Sequence, residues 1–317
     1  MEFLNNDEII GVDCGASKVL VQSCVFDSKK SLISPGLIHQ EYFFSDHPDW
    51  NNNYHPVQLK NQIQENIENR IRLRNIEKKQ GDVIVQTINN IINKFSNIEF
   101  GICFPGLKSK EGISVLVNGP RIPNILKRLN NVNSLYNDSD CCVIGEAMST
   151  IGKMKNVKNG VYIGGGTGIA DGIILDGKII DLTVNSVLKK SWELILPTGE
   201  SVESWLSPGG MIKNHNNKFQ TNFKTLSDCS QSVDFEKTMN FVLKAFTFLI
   251  EDRIKFFKNH KKQIEKIVIG QRLGNFLYND KSGISELFKK YSDFDISFSK
   301  NRETAALGAA WKKQCSQ

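Results

Sequence analysis

Two acidic residues that lie close in sequence to a glycine-rich turn are the clearest chemical signal in the chain. Asp138 and Asp140 precede a helix-like segment, CCVIGEAMSTIGKM, which is followed by the strand VYIGG, the turn Gly166–Gly168 and a second strand, GIILD. Asp is a favoured helix N-cap, so we expect one acid to cap this helix and the other to be free for chemistry. Backbone N–H groups in a glycine-rich hairpin turn can surround phosphate oxygens. The run GGGTG holds more glycine than a hairpin needs, which favours close approach of a ligand. The segment therefore predicts a base beside a phosphate site.

A second candidate phosphate site lies in the first predicted hairpin, IIGVDCGASKVLVQSCVF. Asp13 stands at the end of its buried strand, where a carboxylate is costly unless it binds a cation or hydrogen-bond donors. The small residues Gly15 and Ala16 let a phosphate approach the backbone, and Ser17 and Lys18 add donors. A plain hairpin with an Asp in its turn is the alternative.

The segment ISVLVNGPRIPNIL supplies candidate substrate contacts in a stiff, proline-containing loop. Asn118 both donates and accepts hydrogen bonds, as sugar hydroxyls require, and Arg121 suits an anion. The alternative roles are a turn-capping Asn and a surface Arg.

Helical periodicity between these motifs predicts the elements that position them. Residues 59–80 have one apolar face, a Gly81–Asp82 break follows, and a second helix carries Ile88 and Ile92 on one face. We interpret this pair as the helical cover of the first sheet, with a surface for a partner as the alternative. A longer apolar stripe over residues 235–257 predicts a core helix.

Composition narrows the class of protein. A chain of 317 residues with 40% hydrophobic and 23% charged residues is typical of a soluble globular protein with two domains. We expect no membrane span and no secretory signal, because the apolar runs are short and the N-terminus MEFLNNDEII lacks a basic start. The seven cysteines show no CxxC spacing, which favours buried thiols in a reducing cytoplasm. A net charge of +6 without a helix-turn-helix or aromatic-basic platform argues against nucleic acid.

Taken in order, these motifs resemble those of the ROK family (repressors, open reading frames, sugar kinases) of the actin/Hsp70/sugar-kinase superfamily. The family's DxGGTK is similar to DCGASK, its NDAN to NDSD, its GTGIGGGI to GTGIADGI and its NxPNxP to NGPRIP. IVIGQRLG resembles the adenosine-side GGG turn, and ETAALGAA resembles the closing helix. The resemblance covers nearly the whole chain.

The resemblance implies an α/β fold of two ribonuclease-H-like (actin-like ATPase) domains, with ATP and sugar in the cleft between them. A smaller N-terminal domain would span residues 1–136 and a larger C-terminal domain residues 137–300. The C-terminal helix, about residues 300–317, would pack back on the first domain, with a hinge near residue 300.

The implied activity is ATP-dependent phosphorylation of a hydroxyl on a sugar or sugar-like molecule. Asp138 would be the general base, and Asp13 would hold Mg²⁺. The Gly15–Lys18 and Gly166–Gly168 turns, with Thr167 in the second, would cradle the phosphates.

Other matched positions would complete the two binding sites. Gly270 would lie on the nucleotide side. Asn118, Asn137 and Glu193 would contact the substrate, together with Arg121.

The chain also departs from the family. Leu196 stands where the GExGH segment has its zinc-binding His, and the cysteine cluster is absent, so we expect no zinc site. Arg121 replaces the second Asn of the sugar loop, which suggests an anionic or unusual substrate. Asp171 replaces a Gly beside the second phosphate turn, and it would repel phosphate unless it faces away or binds the metal. Glu203, in the segment SVESWLSPGG, is expected to be structural and not catalytic.

A non-catalytic sugar-binding or regulatory protein of this fold is the alternative function, and a phosphoryl donor such as polyphosphate is a further alternative to ATP. The DNA-binding branch is disfavoured because no helix-turn-helix precedes residue 9. We expect a small-molecule partner, no nucleic acid and no membrane, in the cytoplasm; the sequence leaves a homodimer open.

Overall fold

In the computed structural model of the chain, which describes residues 8–95, 98–182, 188–290 and 293–316, the backbone divides into two units. The first unit comprises Met1–Thr150 and Ala305–Gln317, and the second comprises Ile151–Thr304. The second unit thus begins later than the domain boundary predicted at residue 137. The difference arises because the helix that starts at Asp138 packs on the sheet of the first unit.

The first unit is built on a five-stranded mixed sheet with the order β3-β2-β1-β4-β7. The strands of this unit are β1 (Glu8–Cys14), β2 (Lys18–Asp27), β3 (Leu32–Phe43), β4 (Phe100–Phe104), β5 (Leu107–Lys108), β6 (Ile113–Val115) and β7 (Tyr136–Asn137). β1 and β2 form the antiparallel hairpin predicted from sequence, while β4 and β7 run parallel to β1. Strands β5 and β6 form a separate small hairpin.

Three helices of the first unit are α1 (Leu59–Ile67), α2 (Asn75–Lys94) and α3 (Asp138–Met148). The predicted helix over residues 59–80 is wrong, because the chain leaves the helix after Ile67 and α2 runs straight through Gly81. A side chain at Gly81 would press on Ile122, with its Cβ 3.2 Å from Cγ1, so this glycine permits close packing and does not end a helix. Buried isoleucines of α2 cover the sheet, as predicted.

The second unit holds another five-stranded mixed sheet, with the order β10-β9-β8-β11-β12. Its elements are β8 (Gly160–Gly165), β9 (Ile169–Leu175), β10 (Lys178–Ile179), α4 (Val202–Leu206), α5 (Pro208–Phe219), α6 (Leu226–Cys229), α7 (Phe235–Asn259), β11 (Lys266–Gly270), α8 (Gln271–Tyr278), α9 (Ile284–Lys290) and β12 (Asp295–Phe298). α7 is the predicted long core helix, and its buried stripe packs in the main apolar cluster of this unit.

The last helix, α10 (Thr304–Cys315), returns the chain to the first unit. A side chain at Gly11 of β1 would overlap the carbonyl group of Ala306, and one at Gly101 of β4 would overlap that of Ala309. The backbone of α10 therefore packs directly against the backbones of β1 and β4, and the small side chains of the helix permit this close approach. Within the described ranges, no helix is both long and apolar enough to cross a membrane.

Candidate active site

Asp13, the candidate metal ligand, and Asp138, the candidate base, lie at the same edge of the sheet in the first unit. Asp13 of β1 is paired with Cys103 of β4, and Cys103 is paired in turn with Tyr136 of β7, one residue before Asn137. These strands are parallel, so their carboxyl ends meet at one edge, with Asp138 directly after β7. Two strand spacings, about 10 Å, separate the backbones of β1 and β7. The sequence motifs around Asp13 and Asp138 are thus brought to one place.

The cap of α3 corrects the sequence-based assignment, in which Asp138 or Asp140 was the N-cap. Asn137 is the N-cap, and its Oδ1 accepts hydrogen bonds from Ser139 N–H (2.9 Å) and Asp140 N–H (3.4 Å). Asp138 is the first helical residue, is half-buried, and accepts a hydrogen bond from Ser139 N–H at Oδ1 (2.8 Å). The short Asn side chain reaches the free N–H groups of the first turn as well as an Asp would. A substrate contact by Asn137 would therefore use its amide nitrogen.

A lysine that sequence analysis missed lies near Asp138. Lys108 Nζ donates to the carbonyl oxygens of Phe104 (2.6 Å) and Gly106 (3.2 Å). Burial lowers the pKa of Lys108, while the charge of Asp138 acts in the opposite direction. Its position just after the Pro105–Gly106 turn was the only sequence signal. The site therefore contains a partly desolvated cation beside the candidate base.

The surroundings of Asp13 suit a hard cation. The Cys103 thiol donates to Asp13 Oδ1 at 3.6 Å, and burial, the largest cause, raises the pKa of this thiol well above its usual value. The thiol therefore stays protonated and adds no negative charge. Mg²⁺ is usually held by one or two carboxylates together with waters and phosphate oxygens, so Asp13 fits that role. In the portion of the chain that the structure describes, no group of three His, Cys, Asp or Glu residues could hold a metal by itself.

The turn after Asp13 is tight and partly accessible. Gly15 N–H donates to Lys18 O at 2.9 Å, and Ser17 is exposed. The ammonium group of Lys18 forms an ion pair with Glu41 of β3. Ala16 is half-buried. Of the donors predicted for phosphate, Lys18 is thus already engaged by a carboxylate.

The second glycine turn joins β8 to β9 as predicted, and Gly166 N–H donates to Gly168 O at 2.8 Å. Its tip, Thr167, is exposed. Packing within the unit requires glycine at most of these positions. A Cβ at Gly164 would lie 2.8 Å from the Tyr162 ring, and one at Gly165 would overlap Leu273. At Gly166 the nearest atom would be 4.0 Å away. The glycine excess therefore reflects packing at most positions, and open space at Gly166.

Two side chains hold this turn from outside the hairpin. Glu203 of α4 accepts a hydrogen bond from Ile169 N–H at Oε2 (2.7 Å), and its carboxylate occupies the space that a Cβ on Gly168 would need. Arg272 of α8 donates from Nη2 to Thr167 Oγ1 at 2.7 Å. These bonds agree with the structural role expected of Glu203, whereas no sequence motif had pointed to Arg272.

Gly270, predicted for the nucleotide side, ends β11 and is paired with Gly164 of β8. A Cβ at Gly270 would lie 2.8 Å from Cε2 of Tyr162, so the ring accounts for this glycine as well. Its backbone nevertheless stands next to the glycine-rich turn.

Arg121 does not have the surroundings expected of a substrate contact or of a surface residue. Its side chain has no exposed area, and it donates from Nε and Nη2 to Glu77 (2.8 and 3.0 Å) and from Nη1 to Glu65 (2.6 Å). A further bond joins Nη2 to Arg72 O at 3.2 Å. Four of the five N–H donors of a guanidinium are therefore used inside the first unit.

Asp171 also has an internal partner. It is 5% exposed, pairs with the buried Arg253 at 3.2 Å, and accepts a hydrogen bond from Ser191 N–H at 2.7 Å. Asp171 would avoid repelling phosphate either by facing away from it or by binding the metal. In the structure, its carboxylate is directed to the buried Arg253.

The remaining candidate substrate residues are accessible. Asn118 is exposed in the loop after β6. Glu193 is exposed in the second unit and accepts a hydrogen bond from Lys190 N–H at 2.8 Å.

Comparisons with solved structures show which proteins share this architecture. The chain matches no protein-family profile and no curated sequence. An inorganic polyphosphate/ATP-glucomannokinase from Arthrobacter sp. strain KM has a TM-score of 0.58 at 15% identity, with 98% of this chain and 100% of that chain covered. A ROK family glucokinase from Streptomyces griseus, in complex with glucose and AMPPNP, has a TM-score of 0.55 at 14% identity, covering 96% and 98%. The chain therefore has the ROK sugar-kinase fold, as the motifs predicted.

A regulator shares the same fold. A ROK family transcriptional regulator, described as a homologue of the E. coli MLC protein, has a TM-score of 0.59 at 14% identity and covers 97% of this chain and 78% of its own. Similarity at this level of identity establishes the fold, while the chemistry depends on the residues at the site.

Proposed function

We propose that the protein is an ATP-dependent kinase that phosphorylates a hydroxyl group of a sugar or sugar-like small molecule. The observation that carries the proposal is the meeting of Asp13 and the half-buried Asp138 at the carboxyl edge of one sheet. The kinase fold supports it, since proteins that act on glucose and related sugars with ATP share this architecture.

Asp138 is the proposed general base. Its Oδ1 is fixed by Ser139 N–H, so the carboxylate has a defined orientation at the start of α3. It would accept the proton of the substrate hydroxyl as that oxygen attacks the terminal phosphate. Such a base must come within hydrogen-bond reach of the hydroxyl, and the carboxylate is accessible enough to do so.

Asp13 is the proposed contact for Mg²⁺, which when bound would neutralise charge on the phosphates of ATP. The backbone N–H groups of the Gly15–Lys18 and Gly166–Gly168 turns are the proposed phosphate donors. Phosphoryl transfer demands mainly positioning and charge neutralisation, so Lys108 near Asp138 would add to the second of these.

The proposed sugar contacts are Asn118, Asn137 and Glu193, whose amide and carboxylate groups match hydroxyls. Arg121 supports this set indirectly, because its bonds to Glu77 and Glu65 fix the loop that carries Asn118. An anionic substrate is therefore no longer required to explain Arg121.

The test is an ADP-release screen with Mg-ATP against hexoses, amino sugars, N-acylated sugars, cyclitols and sugar acids. Asp138→Asn removes the proton acceptor and keeps the shape, so it should abolish turnover while leaving nucleotide binding in place. Asp140→Asn is the matched control in the same motif and should keep turnover, since Asp140 is buried and lies 4.0 Å from Lys312. Turnover that survives Asp138→Asn would place the base elsewhere.

The second candidate function is a sugar-binding regulatory protein without turnover. The ion pair between Lys18 and Glu41 favours it, because it occupies a cation that the proposed donor site would use. Binding of a sugar by calorimetry, with no ADP released from any compound in the screen, would support this function over the kinase.

A further inference from the structure

Three parallel strands of the second unit end at the same edge of its sheet. Gly164 of β8 is paired with Gly270 of β11, and Ile269 of β11 with Phe298 of β12. The residues that follow these strands are the Gly166–Gly168 turn, Arg272 and Arg302. Ligands in open α/β sheets bind at the carboxyl ends of the strands, so these positions face the usual location of a ligand.

Both guanidinium groups can donate further hydrogen bonds at this edge of the sheet. Arg272 donates to Thr167 Oγ1 at 2.7 Å, at the tip of the turn. Arg302 Nε is buried, and it finds no hydrogen-bond acceptor within the described part of the chain. Over the same residues, neither guanidinium forms an ion pair with a carboxylate. A buried donor without an acceptor costs free energy that a ligand atom would recover.

The two positive charges also act on each other. Arg272 is exposed, but partial desolvation of its guanidinium lowers its pKa, and the neighbouring charge of Arg302 lowers it further. A guanidinium does not give up its proton in a protein, so both charges persist and repel. Glu203, the carboxylate beside Gly168, is engaged by Ile169 N–H. An anion between the arginines would relieve the repulsion.

We propose that Arg272 and Arg302, together with the Gly166–Gly168 turn, bind the phosphate chain of the phosphoryl donor. This inference rests on the proposed kinase function and adds two residues that the motifs did not identify. Arg272 is the sixth residue of IVIGQRLG, the segment that resembles the adenosine-side GGG turn, where it adds a bulky cation. Guanidinium groups match phosphate oxygens with two parallel hydrogen bonds. The chemistry recognised is a linear chain of phosphates, from either a nucleoside triphosphate or inorganic polyphosphate.

Calorimetric binding of inorganic tripolyphosphate to the full chain tests the site without a nucleoside. Arg272→Gln and Arg302→Gln should each weaken this binding about tenfold, the loss expected for a hydrogen bond to a charged group. Lys262→Gln is the matched control: it removes one positive charge from the same unit, at a surface pair with Asp176, and should leave the affinity unchanged. Wild-type affinity in both arginine variants would overturn the proposal.

Thermal unfolding supplies a second measurement. Removing one of two repelling charges should not lower the unfolding temperature of the ligand-free protein, whereas tripolyphosphate should stabilise the wild type more than either variant. Arg302→Lys keeps the charge and loses the planar fork, so it should show an intermediate affinity. If Arg302→Gln, which removes the charge, binds tripolyphosphate as the wild type does, Arg302 has no part in the site.

The two sources of phosphate, and the two proposals, are separable. Mg-ATP that binds more tightly than tripolyphosphate would indicate a nucleotide donor, and equal or weaker binding would indicate inorganic polyphosphate. Tripolyphosphate binding that depends on both arginines, without phosphorylation of any sugar, would keep this inference and reject the kinase. If Arg272→Gln and Arg302→Gln leave both sugar phosphorylation and tripolyphosphate binding unaffected, the kinase function is kept and this inference is rejected.

Discussion

Replacing Arg121 by Met should destabilise the protein strongly, because Arg121 is the positive centre of a buried ion-pair cluster. The side chains of Arg121 and Glu77 both have no exposed area, and that of Glu65 has 24%. Methionine fills much of the volume but leaves the Glu77 carboxylate in the interior without its partner. Removing one member of a buried pair costs about 3–5 kcal/mol.

A surface pair in the same unit is the matched control. Arg128 bonds to Asp82 at 2.6 Å, with side-chain exposures of 31% and 48%. Solvent screens such a pair, so Arg128→Met should cost no more than about 1 kcal/mol. The contrast between the two arginines isolates the effect of burial from the loss of a positive charge.

Urea unfolding followed by circular dichroism measures the difference in free energy, and thermal unfolding gives a second comparison. In a domain of this size, 1 kcal/mol corresponds to about 2–4 °C in unfolding temperature, so Arg121→Met should unfold about 6–20 °C below the wild type. The double variant Glu77→Met/Arg121→Met should recover most of the loss, since apolar residues can replace a buried ion pair at little cost.

The opposite result would refute this reasoning. If Arg121→Met matches Arg128→Met in unfolding free energy and instead weakens binding of the compound found in the sugar screen, Arg121 is a substrate contact, as the sequence suggested. A double variant that loses as much stability as the two single variants added together would also show that the charges are not coupled.

Three further predictions concern other charged residues. Lys108→Met should lower kcat/KM about tenfold and Lys108→Arg should restore much of it, because the cation offsets charge near Asp138; unchanged kinetics in steady-state assays would remove Lys108 from the site. Asp171→Asn should cost about 3 kcal/mol in urea unfolding, since Arg253 is buried, and should not change tripolyphosphate affinity; a change in affinity would show that Asp171 faces the phosphate turn. Burial lowers the pKa of His215 in the folded state, so the unfolded chain binds a proton more readily, and stability should fall as the pH decreases below about 6.5. His215→Phe should remove that part of the pH dependence, as measured by urea unfolding at several pH values.

Local turn chemistry and strand periodicity are enough to predict several elements of this fold. The β1–β2 hairpin, β4 and the β8–β9 hairpin occur where alternating apolar residues and small turn residues predicted them. The order of the motifs also led to the correct fold. The strand and turn signals depend on neighbours within a few residues, so no distant contact is needed to interpret them.

Glycine was the least reliable local signal. Gly81 was predicted to break a helix, yet α2 continues through it, because packing against Ile122 outweighs a helix-propensity cost of about 1 kcal/mol. Gly165 was counted toward ligand approach, and its neighbour is Leu273, more than a hundred residues later in the chain. A glycine shows that space is restricted or a conformation is unusual, but not which atoms require it.

The sequence by itself indicated the fold and a role for Asp138 through the resemblance of its ordered motifs to the ROK family, and it located Asp13 and the two glycine turns through local patterns. Only the tertiary structure decided which charge each ionic side chain meets. Arg121 is neutralised by Glu77, Asp171 by Arg253, and Arg272 has a second cation as its neighbour. Such partners are distant in the sequence; Asp171 and Arg253, for example, are 82 residues apart. The energy of a charge depends on its distance to other charges and on its burial, and both are fixed only when the chain has folded.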